Sequence, residues 1–380
     1  MNNEQEVQQP FGGARRAAGY VEAPTTRADV EDVVSPAPTE PPVAEVVPIS
    51  GAGETTEQPE LQGDALVYTP GDDLSVVTTD DRPTVATEGL RGVLSKLGIR
   101  MAPGIEERAR LQAEESLRRD EQTIRQATWT RAQGVLIANR KGGTGKTPTA
   151  IGVGGVLAAV RGGSVAIMEV SDDRGGLSFR AEGSPKLGMG ELVRDVDKIR
   201  SAGQLAGYTA PQTSFAAVIG SVGNRPPLTG EDVEAVSRVI DEYYGIRVMD
   251  SGNQPSSSAF QAAVATADAL VVPVFNSADS VLEAIDLLDL LRSSGAHAAQ
   301  LAENAVIIRI TDGRPEYPQI VERLDRLITG ARVREVHAVP FDQHIAERGQ
   351  ITLDKLSPAA RRAFTAATAA VVRSLQAVAN

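Results

Sequence analysis

The chain has 380 residues, no cysteine and a formal net charge of −12, which excludes disulfides and thiolate metal sites and fits a reducing compartment such as the cytoplasm. The charge is local: residues 1–85 hold sixteen acidic residues against four arginines, which accounts for the whole imbalance and leaves residues 86–380 neutral. No uncharged apolar run approaches the ~20 residues that span a bilayer, and three scattered histidines give no metal-ligand spacing.

Residues 1–85 also hold ten of the 22 prolines, among them Pro36, Pro38, Pro41, Pro42 and Pro48. Acidic, proline-rich sequence with few aromatics buries too little apolar surface to offset its ordering entropy, so a disordered tail is expected. It serves either as a solvated spacer or as a partner-binding arm read at its extended stretches. Glu4 and Glu6, with no apolar segment behind them, argue against a secretory signal.

Residues 86–130 read as a helical pre-domain segment. Leu90, Val93, Leu94 and Leu97 recur at helical spacing, with Arg91, Lys96 and Arg100 on other faces. This face either docks on its own domain or touches a partner or a membrane surface. Residues 104–126 follow as a charged helix with i,i+4 pairs such as Glu114/Arg118 and Glu115/Arg119.

From residue 131 to 380 one large domain is expected. Apolar runs at Val135–Ala138, Val165–Val170, Ala216–Ile219, Ile246–Met249, Ala269–Val274, Ala305–Ile310 and Val336–Val339 alternate with helical stretches such as Glu231–Glu242 and Ala278–Ser293. Short, continuous runs rich in Val and Ile read as strands buried on both faces. The alternation predicts an α/β fold, a doubly wound and mostly parallel sheet flanked by helices.

Directly after the first run stands Lys141-Gly142-Gly143-Thr144-Gly145-Lys146-Thr147-Pro148. Small residues let successive backbone N–H groups turn inward on an anion, and a helix N-terminus points at the charge. Lys146 reaches β and γ phosphates and the Thr147 hydroxyl takes Mg²⁺. Arg140 occupies the place of the first glycine in the usual pattern. The loop instead follows the deviant pattern with an extra lysine, and in this it resembles the MinD/ParA family of P-loop ATPases.

That resemblance implies ATP with Mg²⁺, a nucleotide-sandwich homodimer formed on ATP binding, and Lys141 as the contact to the partner's nucleotide. Pro148 departs from the family, which has a second hydroxyl residue there to hold the α phosphate; backbone or Thr149 must then serve.

At the strand ends, Ile246–Asp250 reads as an apolar strand closing on a carboxylate that holds Mg²⁺ through water, and Ser251-Gly252-Asn253 as the switch sensing the γ phosphate. Glu169 takes the place of the first acid of the family's Asp-x-Asp, also a water-mediated Mg²⁺ ligand, while Ser171 stands where the second acid belongs. Asp172 and Asp173 carry carboxylates at shifted spacing. Phe341, in Val339-Pro340-Phe341-Asp342, either stacks on the base or simply packs.

The acidic tail, the stretch Met101–Arg108 and the motifs around Phe341 and Leu356–Ala363 look like actinobacterial MinD-like ATPases, some associated with type VII secretion. The family implies a positioning ATPase that organises DNA, a secretion system or a polar complex, with a protein partner. A slowly hydrolysing or inactive adaptor recruiting partners through its tail is the alternative. Non-specific DNA binding would need a basic patch, for which Arg309, Arg314, Arg323, Arg326, Arg332 and Arg334 are the candidates, although acids are interleaved among them. A peripheral membrane contact would need segment 88–100 or the last helix, whose apolar residues are expected instead to pack on the domain. Iron–sulfur reductases of the same superfamily need bridging cysteines, and its tyrosine kinases a tyrosine-rich C-terminus. This chain has neither.

Overall fold

The computed structural model describes residue 102 and residues 104–379. The acidic segment 1–85 and the amphipathic segment 88–100 lie outside the described residues, as does Met101.

In chain order, α1 (Ile105–Gln126) leads to β1 (Gln133–Ile137), the glycine-rich loop and α2 (Lys146–Arg161). Then come β2 (Val165–Val170), the short helices α3 (Leu177–Arg180), α4 (Met189–Asp195) and α5 (Ala202–Ala206), and strands β3 (Ala210–Pro211) and β4 (Ala217–Ile219). Regular alternation resumes with α6 (Gly230–Tyr243), β5 (Ile246–Ser251), α7 (Ser258–Ala265), β6 (Ala269–Phe275), α8 (Ala278–Ser293) and α9 (Ala296–Glu303). The chain continues through β7 (Val306–Ile310), α10 (Pro318–Gly330), β8 (Glu335–Val339), α11 (Gln343–Ala346) and α12 (Pro358–Ala379).

The strands form one sheet in the order β3-β4-β2-β5-β1-β6-β7-β8. Every pair is parallel except β3/β4. Strands β2 and β4 fall on one side of β1, and β6 to β8 on the other, so β1 stands at the reversal of strand order where open α/β sheets bind ligands beyond their carboxyl ends.

All seven apolar runs are strands. The eighth, β3, is two residues long and ends in Pro211, too short to show a period and placed at the sheet edge, where a missing N–H is tolerated. Successive side chains feed two cores. Leu136 joins the layer under α4 to α10, while Val135 and Ile137 join the layer under α1, α2, α3 and α12. Burial on both faces fails at β8, the other edge, where Val336 remains 44% exposed.

Local signals set the helices. Thr229 and Asp232 form a capping box at α6, and the Ser357 hydroxyl accepts from Ala360 N ahead of Pro358 at α12. Along α12, Phe364, Ala367, Val371 and Leu375 are 0% exposed; this face packs against the sheet. At ~1.5–3 kcal/mol per large apolar side chain, the burial anchors the helix on the domain rather than on a surface. Among the described residues no helix is long and apolar enough to cross a membrane.

Candidate phosphate and metal site

The β1–α2 loop leaves the carboxyl end of the central strand and is pinned from below. Asn139 is buried; its Nδ2 donates to Pro273 O at 2.9 Å and its Oδ1 accepts from Lys141 N at 2.9 Å, which ties the loop to β6. Gly145 sits in the left-handed region (φ 87°), and a Cβ there would come 2.8 Å from Ile310 Cδ1. The left-handed conformation is what calls for glycine at that position. The first backbone N–H groups of α2 have no intrahelical acceptor and are donors of the kind that receive anions.

Lys146 is only 8% exposed. Its Nζ donates to Asn139 O and Lys141 O, both at 3.0 Å, and to Asn253 Oδ1. Burial holds its ammonium down at about 8 against an ordinary 10.5, with Asp250 partly offsetting the shift. The ammonium thus has all three protons engaged by oxygens, one of them on the Asn253 side chain.

Two carboxylates meet beside it. The β2/β5 register places Glu169 opposite Asp250. Thr147 Oγ1 donates to Asp250 Oδ2 at 2.6 Å. Burial pushes the Asp250 carboxyl up to about 7 from 3.8; the Thr147 hydrogen bond opposes this and the Glu169 charge adds to it. Asp250 Oδ1 and Glu169 Oε2 are buried without a hydrogen-bond partner among the described residues. Two unsatisfied carboxylate oxygens next to a threonine hydroxyl are hard-oxygen donors that fit Mg²⁺. No group of three or more His, Cys, Asp or Glu side chains that could hold a metal ion exists among the described residues.

Glu169 has a second attachment that the sequence does not announce. Its Oε1 accepts from Ser221 Oγ and, at 3.1 Å, from Arg225 Nη2, whose side chain is 3% exposed. Arg225 lies 56 residues further along, between β4 and α6, in a loop with no motif.

A cleft of about 750 Å³ runs from the loop to the far strand ends. Gly143, Gly145, Lys146, Thr147 and Pro148 line it together with Phe275, Ile310, Asp312, Pro340 and Phe341, and so do Ser171, Asp172 and Asp173. Phe341 is 41% exposed, and its ring lies where a Cβ on Gly313 (φ 83°) would sit, 2.7 Å from Cε2. Thr149 does not line the cleft; it is fully buried and its hydroxyl lacks a partner among the described residues.

Lys141 is placed apart from Lys146. Its side chain is exposed and its Nζ meets Asp279 Oδ2 at 3.0 Å, at the start of α8. The Ser277 hydroxyl, then Lys141, hold the Asp279 carboxyl down at about 2. Arg140 reaches Glu283 at 3.4 Å and Asp286 at 3.7 Å. Of the candidate basic residues, Arg309 pairs with Asp325 and Arg314 with Asp312, so acids neutralise part of that face.

No family model matches the chain. It is 24% identical over 240 residues to the ESX-1 secretion-associated protein EspI of Mycobacterium tuberculosis, in strains CDC 1551 and H37Rv. The match takes in 60% of this chain, which spans about a third (34%) of the length of these relatives. Among solved structures it is similar to apo McdA from Cyanothece, with 19% identity, a TM-score of 0.47, and coverage of 63% of this chain and 99% of that one. It is also similar to MinD from Pyrococcus furiosus, with 17% identity, a TM-score of 0.47, and coverage of 64% and 99%. A ParA family ATPase from Chlorobium tepidum follows at 13% identity and a TM-score of 0.46, covering 66% and 98%.

Proposed function

We propose that the chain binds ATP with Mg²⁺ in the β1–α2 cleft and acts as an ATP-dependent dimerising switch, a positioning ATPase. The observation that carries this reading is Lys146: a buried lysine, cradled by two loop carbonyls, beside a Thr147–Asp250 hydrogen bond at the end of the central strands.

The chain's own groups divide the work. Backbone amides from Gly142 to Thr147 and the start of α2 receive the phosphates. Lys146 exchanges Asn253 for a phosphate oxygen, which frees the β5–α7 loop and makes Asn253 the residue that reports an occupied γ site. Thr147 and Asp250 would hold Mg²⁺, and Glu169 keeps one open oxygen beside them. The bound ion would neutralise charge on the phosphates. Phe341 and Pro340 flank the base at the far end. Lys141 lets go of Asp279 and reaches the partner's nucleotide across a homodimer.

Likeness to a secretion-associated protein supports a protein partner in a type VII secretion setting over DNA partitioning; the paired arginines of the candidate basic face point the same way. Isothermal titration with ATP and Mg²⁺, with sedimentation of the wild type and Lys146→Ala, tests binding and dimerisation. No heat and no change in mass would sink the reading. A second reading, an adaptor that binds nucleotide without turnover, is favoured by Ser171 standing in the place of an acid. Phosphate release equal to that of Lys146→Ala would select it.

A further inference from the structure

Arg225, whose side chain is 3% exposed, donates to six acceptors behind the turn that lines the cleft. Its Nε donates to Ser221 Oγ at 2.7 Å. Nη1 donates to Asp172 O at 2.7 Å and Pro226 O at 3.1 Å. Nη2 donates to Glu169 Oε1 at 3.1 Å, Ser171 O at 2.7 Å and Asp173 O at 3.0 Å. Three successive carbonyls, from Ser171 to Asp173, thus wrap one guanidinium, and Leu228 N adds a bond to Asp172 O at 3.0 Å.

Burying an arginine is costly unless each donor is satisfied and the charge is matched. Here every N–H bearing nitrogen has an acceptor, and Glu169 supplies the charge. A lysine, with one nitrogen, cannot span this set. The arrangement therefore fixes the backbone of residues 171–173 to the end of β2 far more tightly than a loop needs merely to connect β2 to α3.

With its carbonyls turned in on Arg225, this turn presents its side chains to the cleft. Ser171, Asp172 and Asp173 all line it, together with Lys146, Thr147 and Asp250. Asp172 is the one placed against the switch: its Oδ1 lies 3.3 Å from the Cβ position of Gly252, two residues beyond Asp250. Ser171, at the position where an acid is expected, has only a hydroxyl.

We propose that Asp172 is the catalytic carboxylate that orients the attacking water, and that Arg225, matched by Glu169, is the positioning residue that holds it. The proposal rests on the hydrolytic reading given above. In the step, a lone pair of the water oxygen forms a bond to the γ phosphorus. The bond from that phosphorus to the β–γ bridging oxygen breaks, and its electron pair leaves on ADP. One water proton passes through Asp172 to a γ-phosphate oxygen, giving ADP and dihydrogen phosphate. Glu169 then serves chiefly as the counter-charge of the clamp.

The full chain is assayed as wild type, Asp172→Asn, Arg225→Lys and Arg225→Gln, for phosphate release (kcat and KM), ATP Kd by titration, and ATP-held dimer by sedimentation. Asp172→Asn is expected to lower kcat at least ~100-fold, leave Kd within ~3-fold, and accumulate the ATP-held dimer. Arg225→Lys is expected to lower kcat ~10-fold at unchanged KM, with Arg225→Gln lower still. Should both Arg225 variants fail to fold, Ser221→Ala, which removes the acceptor of Arg225 Nε and a donor to Glu169, is expected to lower kcat at unchanged Kd. Wild-type kcat in Asp172→Asn overturns the proposal while leaving the hydrolytic reading intact. ATP binding without turnover in the wild type overturns the proposal and selects the adaptor. Absence of ATP binding in the wild type removes the functional reading itself.

Discussion

Replacing Lys146 by Met separates the stability of the empty site from its affinity for nucleotide. The depression from 10.5 to about 8 means that the folded state disfavours the ammonium by ~3 kcal/mol relative to the unfolded chain. The direction follows from proton counts. Between pH 8 and 10.5 the unfolded chain binds more protons, so stability rises with pH across that window; below pH 8 the full penalty is present. Lys146→Met keeps the length of the side chain, removes the penalty, and gives up hydrogen bonds to Asn139 O, Lys141 O and Asn253, worth ~1 kcal/mol each and replaceable by water in an open cleft. The empty variant should therefore be at least as stable as wild type at pH 7 and lack the alkaline rise. Nucleotide changes the comparison: at one hundred times Kd, binding adds ~2.7 kcal/mol to the wild type, about 5–10 °C in Tm for a domain of this size. Thermal unfolding at pH 7 and pH 9.5, with and without ATP and Mg²⁺, measures both effects. The reasoning fails if the variant keeps the nucleotide shift, or if it is several degrees less stable when empty and rises with pH as the wild type does.

Lys141→Ala should abolish ATP-dependent dimerisation yet retain most ATP affinity, because its Nζ meets Asp279 outside the cleft; sedimentation of the variant with ATP checks this. A Cβ on Gly152 would lie 2.6 Å from Phe364 Cε1, so Gly152→Val should push α12 from α2 and cost ~1–3 kcal/mol or more in urea unfolding. Asp250, pushed up to about 7 from 3.8, holds a proton in the folded state that the unfolded chain has released. Stability of the magnesium-free protein should thus fall as pH rises from about 4 to 7, by on the order of 4 kcal/mol at most, and the difference curve against Asp250→Asn isolates that slope.

Much of the site follows from chain order alone, for a physical reason. A phosphate loop is a local structure: the glycines, the lysine, the threonine and the helix behind them are contiguous, so their spacing states their geometry. Asp250 is legible for a related reason, since an apolar parallel strand carries the acid at its end to the same edge of the sheet as the loop. The two-faced burial of β1, β2, β5, β6 and β7 is written in the Val/Ile runs. It fails for β8 because an edge strand needs no apolar cover on both sides, and the run is identical in composition whether a neighbour exists or not. β3 has no period to read.

Arg225 is illegible for the opposite reason. Nothing in Gly220–Leu228 marks it, and its six acceptors come from β2, from the turn after it, and from its own loop. Only the folded pairing of β4 with β2 brings those groups together. The sequence does carry one indirect sign. An acid expected at Ser171 appears at Asp172, and a backbone whose carbonyls are all drawn to one cation has a reason to present its side chains in a shifted order. A residue displaced from its usual place, with the fold otherwise intact, is therefore a prompt to search for the group that reshapes the backbone beside it.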